Sequence, residues 1–151
     1  MVSSKTMSGF SSAARRRASE PLVASMSVQV LIADDEALIR QSLRATLARE
    51  GFDVSVAASG NEAWLRFQED KPDIVLLDTM LIDASGYQVC RRLKTQPETA
   101  NIPVIMLISG SHPRLQSWRA EHGVDEYLPR PFTPQQLSDA IGKFAAVPAV
   151  A

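Results

Sequence analysis

Two short segments constrain this chain most. DIVLLD over residues 73–78 and PVIMLIS over 103–109 are apolar at successive positions, so neither shows the alternation of a strand with one wet face. Runs this short, flanked by Pro72 and by Ser109–Gly110, read as strands buried on both faces, the signature of a parallel sheet covered on each side by helices. The first run ends on a carboxylate, Asp78. An unpaired buried carboxylate is costly, so Asp78 either reaches solvent at the strand end or is used there.

The rest of the chain from Val28 supplies matching units. VQVLIA (28–33) is a first strand ending at Asp34–Asp35. ALIRQSLRATLARE (37–50) is a helix with Leu38, Ile39, Leu43, Leu47 and Ala48 on its apolar stripe, stopped by Gly51. DVSVAA (53–58) is a second strand, and Ser59 or Asn61 caps a helix carrying Ala63, Trp64 and Phe67. A third helix runs from about Tyr87 to Lys94 with Val89, Cys90 and Leu93 inward. A fourth lies near Pro113–His122, and DEYLPR (125–130) is strand five. Thr133 caps the last helix, with Pro134 at its first position and Leu137, Ile141 and Phe144 on its stripe.

Five strands alternating with five helices, joined by right-handed crossovers, give an α/β doubly wound parallel sheet. Its functional crevice lies at the C-terminal strand ends. If strands one and three are neighbours, Asp34, Asp35 and Asp78 converge on one rim. Three close carboxylates repel, and a divalent cation relieves this; Mg²⁺ takes one or two carboxylates, a backbone oxygen and waters. A carboxylate beside Mg²⁺ can also attack phosphorus and form an aspartyl phosphate.

At this point the chain resembles the receiver domain of two-component response regulators. The matching residues are the acid pair of LIADDE, the acceptor of LLDTML, Gly86 eight residues after Asp78, and YLPRPF; they span about residues 28–146. The resemblance implies a flavodoxin-like (βα)5 fold with strand order 2-1-3-4-5. It implies Asp78 as phosphoacceptor and Mg²⁺ as cofactor. Asp35 is then the direct metal ligand, Asp34 acts through water, and the Met80 backbone carbonyl completes the protein ligands. Tyr127 matches the aromatic switch position.

Three positions depart from the family pattern. Where a Thr or Ser closes strand four, this chain has Ile108, which has no hydroxyl for a phosphoryl oxygen. Ser109 is adjacent but faces the other side of a regular strand, so it substitutes only across a bulge. The family's lysine is Arg130, which keeps the charge in a larger planar group. The usual proline four residues past the acceptor is Ile82. Phosphorylation stays chemically feasible, while Ile108 weakens or rewires the conformational response.

Plainer roles are expected elsewhere. Cys90, the single cysteine, is a small helix residue; it excludes an internal disulfide and a cysteine zinc site. His112 and His122 are too few and too badly placed for a histidine metal site. Trp64 and Trp118 are packing residues, Asp83 and Asp125 solvated loop acids, and Asp73 a strand-starting residue. Asp34 alone could cap the first helix, Arg130 could be a surface charge, and Tyr127 a half-buried aromatic with no switching role.

Residues 1–25 carry Lys5, Arg15, Arg16, Arg17 and Glu20, a net of +3, in a chain of net −1, which leaves −4 on residues 26–151. This segment reads as a disordered tail: a start-site artefact ahead of Met26, a bland extension, a transit-like peptide, or a regulatory arm around Ser19. It lacks the apolar h-region of a secretory signal, and no run approaches the ~18 residues of a membrane helix. The receiver-like domain is expected over 26–146, with a short flexible end at 147–151.

The mildly acidic domain is a poor nucleic-acid ligand. The expected function is a stand-alone receiver that takes phosphate from a histidine kinase or histidine phosphotransfer protein and signals to a downstream protein, in the cytoplasm and not at a membrane. It is no turnover enzyme beyond Mg²⁺-dependent self-phosphorylation and dephosphorylation. The family's habit of pairing through the fourth-to-fifth-helix face makes a homodimer an option. The alternative is a phosphate-independent pseudo-receiver that docks a partner. An enzyme ranks last: LIADDEAL lacks the Gly-rich turn of a dinucleotide or P-loop site, and Met80 stands where a haloacid-dehalogenase-type phosphatase has its second Asp.

Overall fold

A computed structural model describes residues 27–109 and 123–145. Five strands form one sheet: β1 (Gln29–Ala33), β2 (Asp53–Ala57), β3 (Ile74–Asp78), β4 (Val104–Ser109) and β5 (Glu126–Arg130). Among the described residues four helices join or follow them: α1 (Ala37–Arg49), α2 (Gly60–Asp70), α3 (Gly86–Thr95) and α4 (Pro134–Gly142). The helix expected near Pro113–His122, the tail 1–25 and the segment 147–151 lie outside the described residues.

All strand pairs are parallel, in the order β2-β1-β3-β4-β5. The flavodoxin-like order implied by the resemblance is therefore the one observed. β3 and β4 are buried along their apolar lengths because each face meets a separate core. On one face Leu43 and Leu47 of α1 and Leu137 and Ile141 of α4 pack on Ile32, Leu76 and Leu107. On the other, Ala63 and Phe67 of α2 and Val89, Cys90 and Leu93 of α3 pack on Leu31, Val75, Leu77 and Met106. Fully burying a side chain such as Phe67 or Leu93 stabilises the fold by about 1.5–3 kcal/mol each.

Local signals set the element ends. Gly51 follows α1 at φ +93°, a left-handed position that favours glycine. Ser59, not Asn61, caps α2 by accepting from the Glu62 amide at 3.1 Å. Thr133 caps α4 in a capping box with Gln136, and Pro134 takes its first turn.

Three expectations are corrected. The α1 stripe is Ile39, Leu43 and Leu47; Leu38 is 79% exposed and Ala48 is also exposed. Leu38 lies about 100° around the helix from Ile39, which turns it off the sheet. Asp125 is no solvated acid: one carboxylate oxygen accepts from Lys94 Nζ and from the Val104 amide, both at 2.8 Å. The Lys94 ammonium also donates to the Ile102 carbonyl at 2.8 Å, so the pair ties α3 to the start of β4. Asp83 is likewise engaged, as described below. Among the described residues no helix is long and apolar enough to cross a membrane.

Candidate functional site

The site forms where β1, β3 and β5 end. Asp34 follows β1, and its amide donates to the Ala57 carbonyl at 3.1 Å, carrying the ladder one residue further. This holds the carboxylate under the surface, with no exposed area. Burial is tolerable because both oxygens are partnered: Oδ1 accepts from the Glu36 amide at 2.9 Å and Oδ2 from Arg130 Nη2 at 2.9 Å. The first contact is an Asx-type turn, so Asp34 shapes the approach to α1 without capping it; the N-cap position is Glu36. Arg40 Nη1 donates to the Asp34 carbonyl at 2.8 Å. Asp35 is exposed at the same rim.

Asp78 ends β3. Its Oδ1 accepts from the Thr79 amide at 2.9 Å and lies 3.5 Å from Arg130 Nη2. Burial pushes its pKa up to about 6, and the negative charges of Asp34 and Asp35 push the same way, against Arg130 and the Thr79 amide. Asp34, Asp35 and Asp78 each present an oxygen within 4.8 Å of the others. Arg130 sets one positive charge against three carboxylates, so the cluster retains net negative charge. Hard oxygen donors in this arrangement fit a divalent cation.

A tight turn follows Asp78. Met80 and Ser85 form an antiparallel bridge, Leu81 N donates to the Ala84 carbonyl at 2.9 Å, and Gly86 N to the Thr79 carbonyl at 2.7 Å. A Cβ on Gly86 would stand 2.0 Å from the Asp78 carbonyl oxygen, so only glycine allows α3 to begin this close behind Asp78. Met80, 65% exposed, sits on this turn at the rim.

The two remaining positions face the α2/α3 core. Ile108 is 6% exposed and shares a cluster with Tyr127, 8% exposed. The β4–β5 ladder is regular through Ile108↔Pro129 and Ser109↔Arg130, so no bulge brings Ser109 into Ile108's place. Tyr127 is buried rather than half-buried; burial raises the pKa of Tyr87 on α3, and the neighbouring Tyr127 side chain opposes that shift.

Arg130 is thus part of the site and no plain surface charge. Trp64 is indeed a packing residue: it meets Phe67 edge to face at 6.0 Å, with the Arg92 guanidinium 4.0 Å over its ring. Cys90 is fully buried in α3, and Asp73 does more than start β3, accepting from the Gln29 amide at 2.8 Å. Trp118, His112 and His122 lie outside the described residues. Sequence reading missed Arg40 and Asp83, because each acts on a backbone group that no local pattern identifies.

Comparison with known proteins agrees with this geometry. The family model of the response regulator receiver domain matches residues 30–142. The phosphate regulon transcriptional regulatory protein PhoB of Rhizobium meliloti (strain 1021) is 37% identical over 112 residues, 74% of this chain and 49% of PhoB. The response regulator MprA of Mycolicibacterium vanbaalenii is 34% identical over 112 residues, 74% of this chain and 48% of MprA. The chain therefore spans about half the length of these relatives. Among solved structures, the Vibrio cholerae chemotaxis protein CheY4 superposes with a TM-score of 0.74 at 26% identity, covering 78% of this chain and 98% of CheY4. A response regulator receiver domain protein from Clostridium thermocellum gives a TM-score of 0.69 at 32% identity, covering 77% of this chain and 92% of its own. With sheet order, acid cluster and sequence in agreement, the chain belongs to the response regulator receiver domain family of two-component signalling.

Proposed function

We propose that Asp78 accepts a phosphoryl group from a phosphohistidine on a kinase or phosphotransfer protein, with Mg²⁺ bound at the rim. Asp34, Asp35, Asp78 and the Met80 carbonyl would hold the ion. The convergence of three carboxylates and one guanidinium on the sheet's C-terminal edge carries this reading.

A carboxylate oxygen of Asp78 attacks phosphorus as the P–N bond to the donor imidazole breaks, and the imidazole leaves with its electron pair. A pKa of about 6 leaves Asp78 ionised and nucleophilic at neutral pH. Thr79 N and Arg130 orient the carboxylate through Oδ1. Arg130 can turn from Asp34 toward a phosphoryl oxygen with little movement, since one nitrogen already faces both acids. The bound cation would supply charge neutralisation for the transferring group.

Output would pass by protein contact. Leu38, Met80 and Ile82 are 79%, 65% and 80% exposed at the rim, apolar surface suited to a docking partner. Pairing of two copies through the face around β5 and α4 is a second expectation, checked by sedimentation with and without phosphodonor. The negative charge of residues 26–151 argues against direct nucleic-acid contact by this domain.

A phosphate-independent docking role has one observation in its favour. Ile108 buries an apolar side chain in the cluster that holds Tyr127, where the family pattern has a hydroxyl. Intact-protein mass after incubation with Mg²⁺ and acetyl phosphate separates the two. A single adduct that needs Mg²⁺ and is lost in Asp78→Asn supports the phosphoacceptor. No adduct, where an ordinary receiver is labelled, leaves the docking module.

A further inference from the structure

The turn between β3 and α3 carries Met80, and its tip is held by Asp83. Asp83 is exposed, but its carboxylate reaches across to the start of α2. Oδ1 accepts from the Gly60 amide at 2.6 Å and Oδ2 from the Asn61 amide at 3.0 Å. The first turn of α2 is thus served by two residues: Ser59 takes the Glu62 amide, and Asp83 takes the two before it. The hydrogen bonds favour the charged carboxylate and lower the Asp83 pKa.

A second observation concerns shape. A Cβ on Gly60 would lie 3.1 Å from Asp83 Oδ1, 3.2 Å from the Ala84 Cβ and 3.3 Å from the Val89 Cγ2. The absence of a side chain at residue 60 lets the turn sit down on α2. Within the turn, the Met80–Ser85 bridge and the Leu81 and Gly86 amide bonds then fold the chain back under Asp78.

We infer that Asp83 is a positioning residue that clasps the acceptor turn to the start of α2 and so fixes the Met80 carbonyl at the rim. The metal half of this inference rests on the phosphoacceptor reading; the clasp itself does not.

The test uses the full chain and three variants. Asp83→Ala removes the clasp, Gly60→Ala lifts the turn, and Ser59→Ala removes the other half of the same cap without touching the turn. Amide hydrogen exchange at Leu81 and Gly86 is measured without metal, and Mg²⁺ affinity by titration calorimetry. Faster exchange at both amides is expected in Asp83→Ala and Gly60→Ala. Mg²⁺ affinity should fall about tenfold in the same two, as when a residue orienting a metal ligand is lost. Ser59→Ala should lower stability yet keep both properties, which a purely structural cap would not predict. Unchanged exchange in Asp83→Ala and Gly60→Ala overturns the clasp. Faster exchange with unchanged Mg²⁺ affinity overturns the link to Met80. A wild-type chain that binds no Mg²⁺ overturns the phosphoacceptor reading and the link with it, while the exchange rates still decide the clasp.

Discussion

Arg130 Nη2 donates to the fully buried Asp34 carboxylate at 2.9 Å and stands 3.5 Å from Asp78 Oδ1. One guanidinium nitrogen therefore serves two acids, and it occupies the electrostatic role that a bound cation would share. Two effects of Arg130→Met follow from this. Without metal, Asp34 is left buried beside Asp78 with its charge uncompensated, and stability falls by about 2–4 kcal/mol. Removing a positive charge from the rim also raises Mg²⁺ affinity several-fold, so added Mg²⁺ recovers much of the lost stability. Thermal melts with and without Mg²⁺ read both effects. An affinity equal to wild type would mean that Arg130 does not compete with the cation.

Asp78 gives a pH dependence with a defined sign. Its folded-state pKa is raised from 3.8 to about 6, so the native state holds this proton more tightly than the unfolded chain. The stabilising contribution is fully present below pH 3.8 and is lost as pH rises through about 6. The shift sets an upper limit of about 3 kcal/mol, and solvent screening at this partly exposed carboxyl brings it to about 1–2 kcal/mol. Metal-free Asp78→Asn should therefore gain stability over wild type at pH 8, and the gain should shrink toward pH 4. Chemical denaturation of both proteins at the two pH values measures it. Equal differences at both would assign Asp78 an ordinary pKa.

Gly86→Ala tests the close approach behind Asp78. The added Cβ meets the Asp78 carbonyl oxygen at 2.0 Å and the Met106 Sδ at 3.1 Å. The first contact is backbone and cannot yield by a rotamer change, so strand end or helix start must move. A loss of about 2–3 kcal/mol is expected from the overpacking, together with slower adduct formation at Asp78. The denaturant midpoint and the rate of mass gain report the two. A fast-labelling variant of normal stability would show that the backbone accommodates the methyl.

The sheet was legible because its signals are local. Apolar runs without alternation marked β3 and β4 as interior strands, and Gly51, Ser59 and Thr133 marked helix ends through their own backbone chemistry. The acids at the ends of β1 and β3 were legible as a group once the strand order put those strands side by side. What escaped were side chains whose partners are distant backbone groups. Asp83 meets amides 22 and 23 residues upstream, and Asp125 meets Lys94 and the Val104 amide. Nothing in the segments around either acid distinguishes it from a solvated one. Leu38 was misplaced for another reason: Leu38 and Ile39 stand side by side at the start of α1, and the sequence does not say which of the two turns away from the sheet.

Ile108→Thr addresses the departure that matters most for signalling. Ile108 fills a buried place in the cluster with Tyr127, at the end of the strand next to Asp78. Threonine removes part of that packing and buries a hydroxyl, which should cost about 1–2 kcal/mol in the unphosphorylated protein. The same hydroxyl gives a phosphoryl oxygen a donor on the Tyr127 side of the sheet. Titration with beryllofluoride and Mg²⁺, followed by amide chemical shifts, compares the two proteins. In wild type the changes should stay near Asp78 and the turn after it, because no group at residue 108 draws the strand ends together. In Ile108→Thr they should extend to Tyr127 and along β5. Changes of full size at Tyr127 in the wild type would show that Ile108 does not interrupt the path and that another contact, such as Arg130 at the end of β5, carries the response.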